Sequence, residues 1–112
     1  MKKTRISFEV ELDKNNVPEK IVWTAPDGGV SNEKSKAVFL SVWDDKKQET
    51  LKIDLWTKDM PLDHMNVFFH QTLVSMNETF LRATQNQKMS DSFKQFCEYF
   101  AENLKLQSPR KL

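Results

Sequence analysis

The sequence predicts an α+β fold, a four-stranded antiparallel sheet of meander type (ββββαα) packed against two C-terminal helices. Three observations predict it. Two short stretches in the first half, 6–12 and 50–56, alternate apolar with polar residues and two more, 19–25 and 36–43, are apolar enough for strands, while two long stretches in the second half repeat apolar residues every three or four positions. The changeover falls within residues 51–73, LKIDLWTKDMPLDHMNVFFHQTL, where Leu51, Ile53 and Leu55 give way to a run that opens at Pro61. A chain of 112 residues suits one domain, here residues 1–107, with 108–112 as a flexible tail.

Each element follows in order. Ile6, Phe8, Val10 and Leu12 alternate with Ser7, Glu9 and Glu11, the pattern of a strand with one dry face. Asp13, Lys14, Asn15 and Asn16 are turn formers. Residues 19–25 then place Ile21 and Trp23 on one face and Lys20, Val22 and Thr24 on the other, completing a hairpin. Residues 26–36 hold both glycines and read as a loop with a short helical turn near 31–34. The third strand, 36–43, sets Val38, Leu40 and Val42 against Ala37, Phe39, Ser41 and Trp43.

The fourth strand, 50–56, follows a polar turn. A four-residue loop, 45–48, sets Ala37 opposite Trp56, Phe39 opposite Asp54 and Ser41 opposite Lys52. Leu51, Ile53 and Leu55 then share the core face with Val38, Leu40 and Val42. Pro61 suits a first helical turn, and Asp59 and Asp63 suit the positive end of that helix. Leu62, Met65, Phe69, Leu73, Met76, Phe80 and Ala83 make one seam, widened by Val67, Phe68, Val74 and Leu81. So broad a surface calls for more than one partner, the sheet and either the last helix or another subunit. After the polar linker 85–88, with Ser90 as cap, Phe93, Phe96, Cys97, Phe100 and Leu104 form a second amphipathic helix. Residues from Gln107 onward read as frayed.

Composition excludes several classes of function. Seventeen basic residues face sixteen acidic ones, and residues 1–60 hold eleven of each sign, so no basic stripe marks a nucleic-acid binder. One cysteine cannot form an intrachain disulfide, which fits a reducing compartment. The N-terminus begins with lysines but then alternates, without the continuous apolar core of an export signal, and the longest apolar run, 37–40, is far too short to span a bilayer. A cytoplasmic protein without direct membrane insertion is expected.

The motifs NNVPEKIVW, FLSVWD, LKIDLWTKDMP, FFHQTL and TFLRAT, in this order and spacing from about Arg5 to Phe100, resemble those of the GldC gliding motility proteins. The resemblance implies a small cytoplasmic accessory component of bacterial gliding motility, with other gliding-machinery proteins as partners. It implies no reaction, and it brings no catalytic or ligand residues. The order of four strands and two helices is also similar to that of the SecB export chaperones, which gives a chaperone-like binding protein as the alternative.

The residues themselves point away from catalysis. His64 and His70 stand six apart on a helix, about 120° around its axis, whereas two ligands on one face need a spacing of three or four. Asp54, Asp59 and Asp63 are explained by a wet strand face and a helix start, Cys97 by burial among aromatics, and Asp27, Gly28 and Gly29 by an ordinary turn. No metal, no cofactor and no enzymatic activity are expected. The candidate interaction residues are Phe39, Trp43 and Trp56, which the expected register puts on the face opposite Leu51, Ile53 and Leu55. The competing structural role for these rings is to cap the rim of the monomer's own core. A dimer or larger assembly is the expected oligomeric state.

Overall fold

The computed structural model describes residues 1–106, and the expected tail 108–112 lies outside them. The chain forms two compact units that divide after Met60. The first is built of antiparallel strands and the second of two helices, which is the α+β order read from the periodicity.

In the strand unit, β1 (Ser7–Leu12), β2 (Pro18–Ala25) and β3 (Val30–Ser35) form one sheet with β2 at its centre. The turn between β1 and β2 is organised by one carboxylate. Asp13 Oδ1 accepts the N–H groups of Asn15 at 2.8 Å and Val17 at 3.0 Å, and Asn16 takes a left-handed φ of 63°, which asparagine tolerates. Phe8 lies opposite Trp23 in the ladder and stacks on it at 5.9 Å between centroids. Ile21, in the central strand between Val10 and Ser35, is fully buried.

Residues 30–35 correct the expected loop. A single turn of 3-10 helix at Pro26–Gly28, closed by Gly29 at φ 74°, reverses the chain into a strand, VSNEKS, that pairs with β2. Its side chains carry no alternating apolar signal because it lies at a sheet edge, where charge suits exposure and discourages further pairing. The ladder shifts between Trp23 and Ala25, and there Thr24 Oγ1 accepts the Asn32 N–H at 3.0 Å.

The expected single four-stranded sheet is likewise replaced by two sheets. Only Lys36 separates β3 from β4 (Ala37–Asp44), which pairs with β5 (Glu49–Trp56) in a sheet of two strands. At the break, the Ser35 hydroxyl donates to the Ala37 carbonyl at 2.8 Å, so a local side-chain bond takes the place of ladder pairing.

Within this unit the segment after β5 ties back to the first hairpin. The Lys58 N–H donates to the Pro18 carbonyl at 3.1 Å, and Lys58 Nζ lies 2.7 Å from Asp13 Oδ2 and 3.3 Å from Glu19 Oε2. The Lys58 ammonium, followed by the Val17 and Asn15 N–H groups, lowers the Asp13 pKa from 3.8 to about 2. A depressed carboxylate contributes stability that is complete above its unfolded pKa and is lost as pH falls through its folded one. Asp13→Asn is therefore expected to flatten the fall in melting temperature between about pH 4 and pH 2. Thermal unfolding at both ends of that window measures it, and an unchanged fall in the variant would remove Asp13 as the cause.

The helical unit holds α1 (Leu62–Thr84) and α2 (Gln87–Asn103). Pro61 caps α1 with extended backbone at φ −67° and ψ 145°, Asp63 stands in its first turn and Arg82 in its last, as the helix dipole favours. Gln85, left-handed at φ 57°, ends α1 by donating its N–H to the Leu81 carbonyl. The expected linker shrinks to Gln85 and Asn86. Asn86 caps α2 by accepting the Met89 N–H at 3.0 Å, in place of the expected Ser90.

Ser90 is buried and works between the helices, where its hydroxyl donates to Asn77 Oδ1 at 2.8 Å. His70 stacks on Phe100 at 6.2 Å. The contact line on α1 thus runs through His70 and Asn77, rotated from the apolar seam read in the sequence. Leu62, Phe69 and Met76 of that seam are exposed.

Candidate functional site

The β4–β5 hairpin has the register that apolar phase and loop length predict: Ala37 opposite Trp56, Phe39 opposite Asp54 and Ser41 opposite Lys52. Its four-residue loop, 45–48, closes through the Gln48 N–H on the Asp44 carbonyl at 2.8 Å, with Gln48 at a left-handed φ of 55°. Asp44 Oδ1 accepts the Lys46 N–H at 3.0 Å, so the carboxylate before the loop fixes its start.

Opposed residues share a face, so Val38, Leu40, Val42, Leu51, Ile53 and Leu55 lie on one side. Ala37, Phe39, Ser41, Trp43, Thr50, Lys52, Asp54 and Trp56 lie on the other. The first was expected to be the core face, yet Val42 is 51%, Leu51 50% and Ile53 52% exposed. A two-stranded sheet has no second layer of its own to cover these side chains, and both its faces carry apolar surface.

Trp43 at 58% and Trp56 at 52% exposure share the second face with half-buried Phe39. The register places Phe39 diagonally beside Trp56. Trp43 lies six positions along the strand from the Trp56 row, or about 20 Å. Between these aromatic poles stand Ser41 and the ion pair Lys52 Nζ to Asp54 Oδ2 at 3.2 Å. The candidate residues therefore share a face without forming one contiguous cluster. The third tryptophan, Trp23, is half-buried against Phe8 in the other sheet.

Beyond Trp56 the chain is locked by residues that sequence reasoning assigned elsewhere. The Thr57 N–H donates to the Lys36 carbonyl at 2.8 Å, extending the ladder by one pair, and the buried Thr57 hydroxyl donates to Asp59 Oδ1 at 2.6 Å. Asp59 Oδ2 takes Lys36 Nζ at 3.1 Å. The Thr57 hydroxyl first, then Lys36, hold the Asp59 carboxyl below its ordinary range. Asp59 thus serves the strand joint, and Asp63 alone serves the start of α1. A Thr two residues before an Asp is the one sequence signal that could have suggested this, because Asx-type and hydroxyl bonds close over that span.

The remaining chemical candidates are scattered. His64 is exposed and His70 half-buried against Phe100. Among the described residues no group of three or more His, Cys, Asp or Glu side chains is placed to hold a metal ion. Burial, and then the neighbouring Glu98, push the Cys97 thiol up from its ordinary pKa, so it stays protonated near neutral pH. Gly29 N–H bonds the Pro26 carbonyl at 3.0 Å, which makes 26–29 a plain reversal. No helix among the described residues is long and apolar enough to cross a membrane.

The family model described as "Gliding motility-associated protein GldC-like" matches residues 18–106. No curated protein and no solved structure matches the chain.

Proposed function

Since the chain belongs to the GldC-like family of gliding motility-associated proteins, we propose that it serves gliding as a small cytoplasmic component that acts by protein–protein interaction and not by catalysis. Its partners in this reading are other proteins of the gliding machinery, and the docking surface is the β4–β5 face that carries Phe39, Trp43 and Trp56. The observation that carries the reading is the exposure of both tryptophans, at 58% and 52%, on one face of a hairpin. Large aromatics left wet at fixed positions on a sheet are costly in solution and supply hot spots when covered.

The test is a gliding strain whose own copy is replaced by a tagged Trp43→Ala/Trp56→Ala chain, compared with the tagged wild type. Hot-spot truncation predicts a loss of partner affinity of roughly 30-fold or more per tryptophan, together with lost spreading on agar, while the variant keeps its circular dichroism. Retention of the same folded partner and normal spreading would overturn the reading. Capture of many unrelated unfolded chains by the wild type would overturn it in favour of a chaperone-like binder.

A further inference from the structure

The outer edge of β5 has a backbone phase that follows from one bond. The Thr57 N–H to Lys36 carbonyl bond makes Lys36 and Thr57 a hydrogen-bonded pair, and such pairs alternate along an antiparallel ladder. Leu55, Ile53 and Leu51 therefore spend their N–H and C=O groups on Val38, Leu40 and Val42. The N–H and C=O groups of Thr50, Lys52, Asp54 and Trp56 point outward, and among the described residues no strand pairs there.

We propose that this edge is taken by a second copy of the same chain, with β5 pairing antiparallel to β5 about a two-fold axis through Ile53. In that register Lys52 lies opposite the partner's Asp54, Thr50 opposite the partner's Trp56, and Leu51 opposite the partner's Leu55, with the two Ile53 side chains facing each other. Every outward backbone group from Thr50 to Trp56 meets an outward group of the partner. The neighbouring ion pairs, Lys52 to Asp54 at 3.2 Å in each copy, become a square of alternating charge. Moving the axis to Lys52 or Asp54 sets like charges face to face. Moving it to lie between two residues sets outward backbone groups against inward ones.

The outer edge of β4 offers no such selection: at Ala37 the Ser35 hydroxyl already bonds the carbonyl at 2.8 Å and the N–H at 3.3 Å, and Ser41 and Trp43 carry no charge to choose between an axis at Leu40 and one at Ser41. Pairing through β5 also turns two hairpins, each marginal alone, into a continuous four-stranded sheet. Across that sheet one row reads Ala37, Trp56, then the partner's Thr50 and the partner's Trp43. Each end of the dimer thereby gathers Phe39, Trp56 and the partner's Trp43, joining aromatic poles that a single copy holds about 20 Å apart. Pairing along one short edge makes a small interface of the weak, transient class, so the dimer is sought at micromolar concentrations.

This inference goes beyond the proposed function and is tested separately from it. Sedimentation velocity on the full chain should show a concentration-dependent dimer. Lys52→Glu or Asp54→Lys alone should weaken it roughly ten-fold or more, and the double swap should restore it. The dyad is read independently by disulfide trapping in a Cys97→Ser background. Ile53→Cys should form a homodimer on mild oxidation, because facing residues in a non-hydrogen-bonded pair sit within disulfide reach. Leu51→Cys should trap only when mixed with Leu55→Cys. A monomer throughout the micromolar range, equal dimerisation of both charge variants, or trapping at Leu51 alone in place of Ile53 would overturn the proposal. Should the dimer fail while the Trp43→Ala/Trp56→Ala chain still loses its partner, the interaction reading stands without it.

Discussion

Ile21→Ala is expected to lower the stability of the strand unit by about 3 kcal/mol, the usual cost of cutting a buried Ile back to Ala. The side chain is 0% exposed, the single large one with no solvent contact among the described residues. Its strand is the centre of the three-stranded sheet, flanked by β1 on one side and β3 on the other, so both neighbours feel the truncation. Deleting the side chain leaves a hole that a central strand cannot collapse without straining both ladders. A unit of this size has a small total stability, so a loss of this size is most of it. Urea unfolding followed by circular dichroism measures the change. Ile6→Ala, at 63% exposure, is the comparison and should move the transition by no more than about 0.5 kcal/mol. Equal costs for the two substitutions would show that Ile21 does not anchor the sheet.

Apolar patterning made the β4–β5 hairpin legible in the sequence. β5 announced itself by alternation and β4 by its apolar run, and their register followed because apolar phase and a four-residue loop admit one common solution. VSNEKS gave no such notice. Its pairing with β2 comes from the reversal at Gly29 and from backbone bonds, neither of which needs apolar side chains. The cap of α2 went to Asn86 over Ser90 for a similar reason. Both residue types cap helices, and only the packing on Asn77 shows that the serine is already engaged. At the candidate surface, parity alone put Phe39, Trp43 and Trp56 on one face. Their separation into two poles depended on counting positions along the ladder, which the register allowed from the start. The exposure of Leu51 and Ile53 was not legible, since an apolar face specifies only that something should cover it.

Thr57→Val should cost about 1–2 kcal/mol although it keeps the shape of the side chain, because the hydroxyl it removes is a buried donor. Thr57 is 2% exposed, and its single proton goes to Asp59 Oδ1 at 2.6 Å, with the Lys36 carbonyl at 3.4 Å as the weaker alternative. The bond closes the chain just past β5, where the Thr57 N–H also holds the Lys36 carbonyl and Lys36 Nζ reaches the same carboxylate. Valine fills the space and leaves Lys36 as the remaining side-chain partner of the Asp59 carboxylate. Since the hydroxyl is the first cause of the depressed Asp59 pKa, that pKa should rise toward its ordinary value in the variant. The sign follows for acid stability. Wild-type stabilisation through Asp59 is complete above the unfolded carboxylate range and lost as pH falls through the lowered folded value, so the variant should show less of its loss in acid. Carbon-detected NMR titration of the Asp59 carboxyl reads the shift directly, and urea unfolding reads the cost. Thr57→Ser, which keeps the donor, should retain the low Asp59 pKa while losing only a methyl group's packing. If valine and serine behave alike in both measurements, the hydroxyl bond does not hold the joint, and the closure must rest on the backbone bond from Thr57 to Lys36.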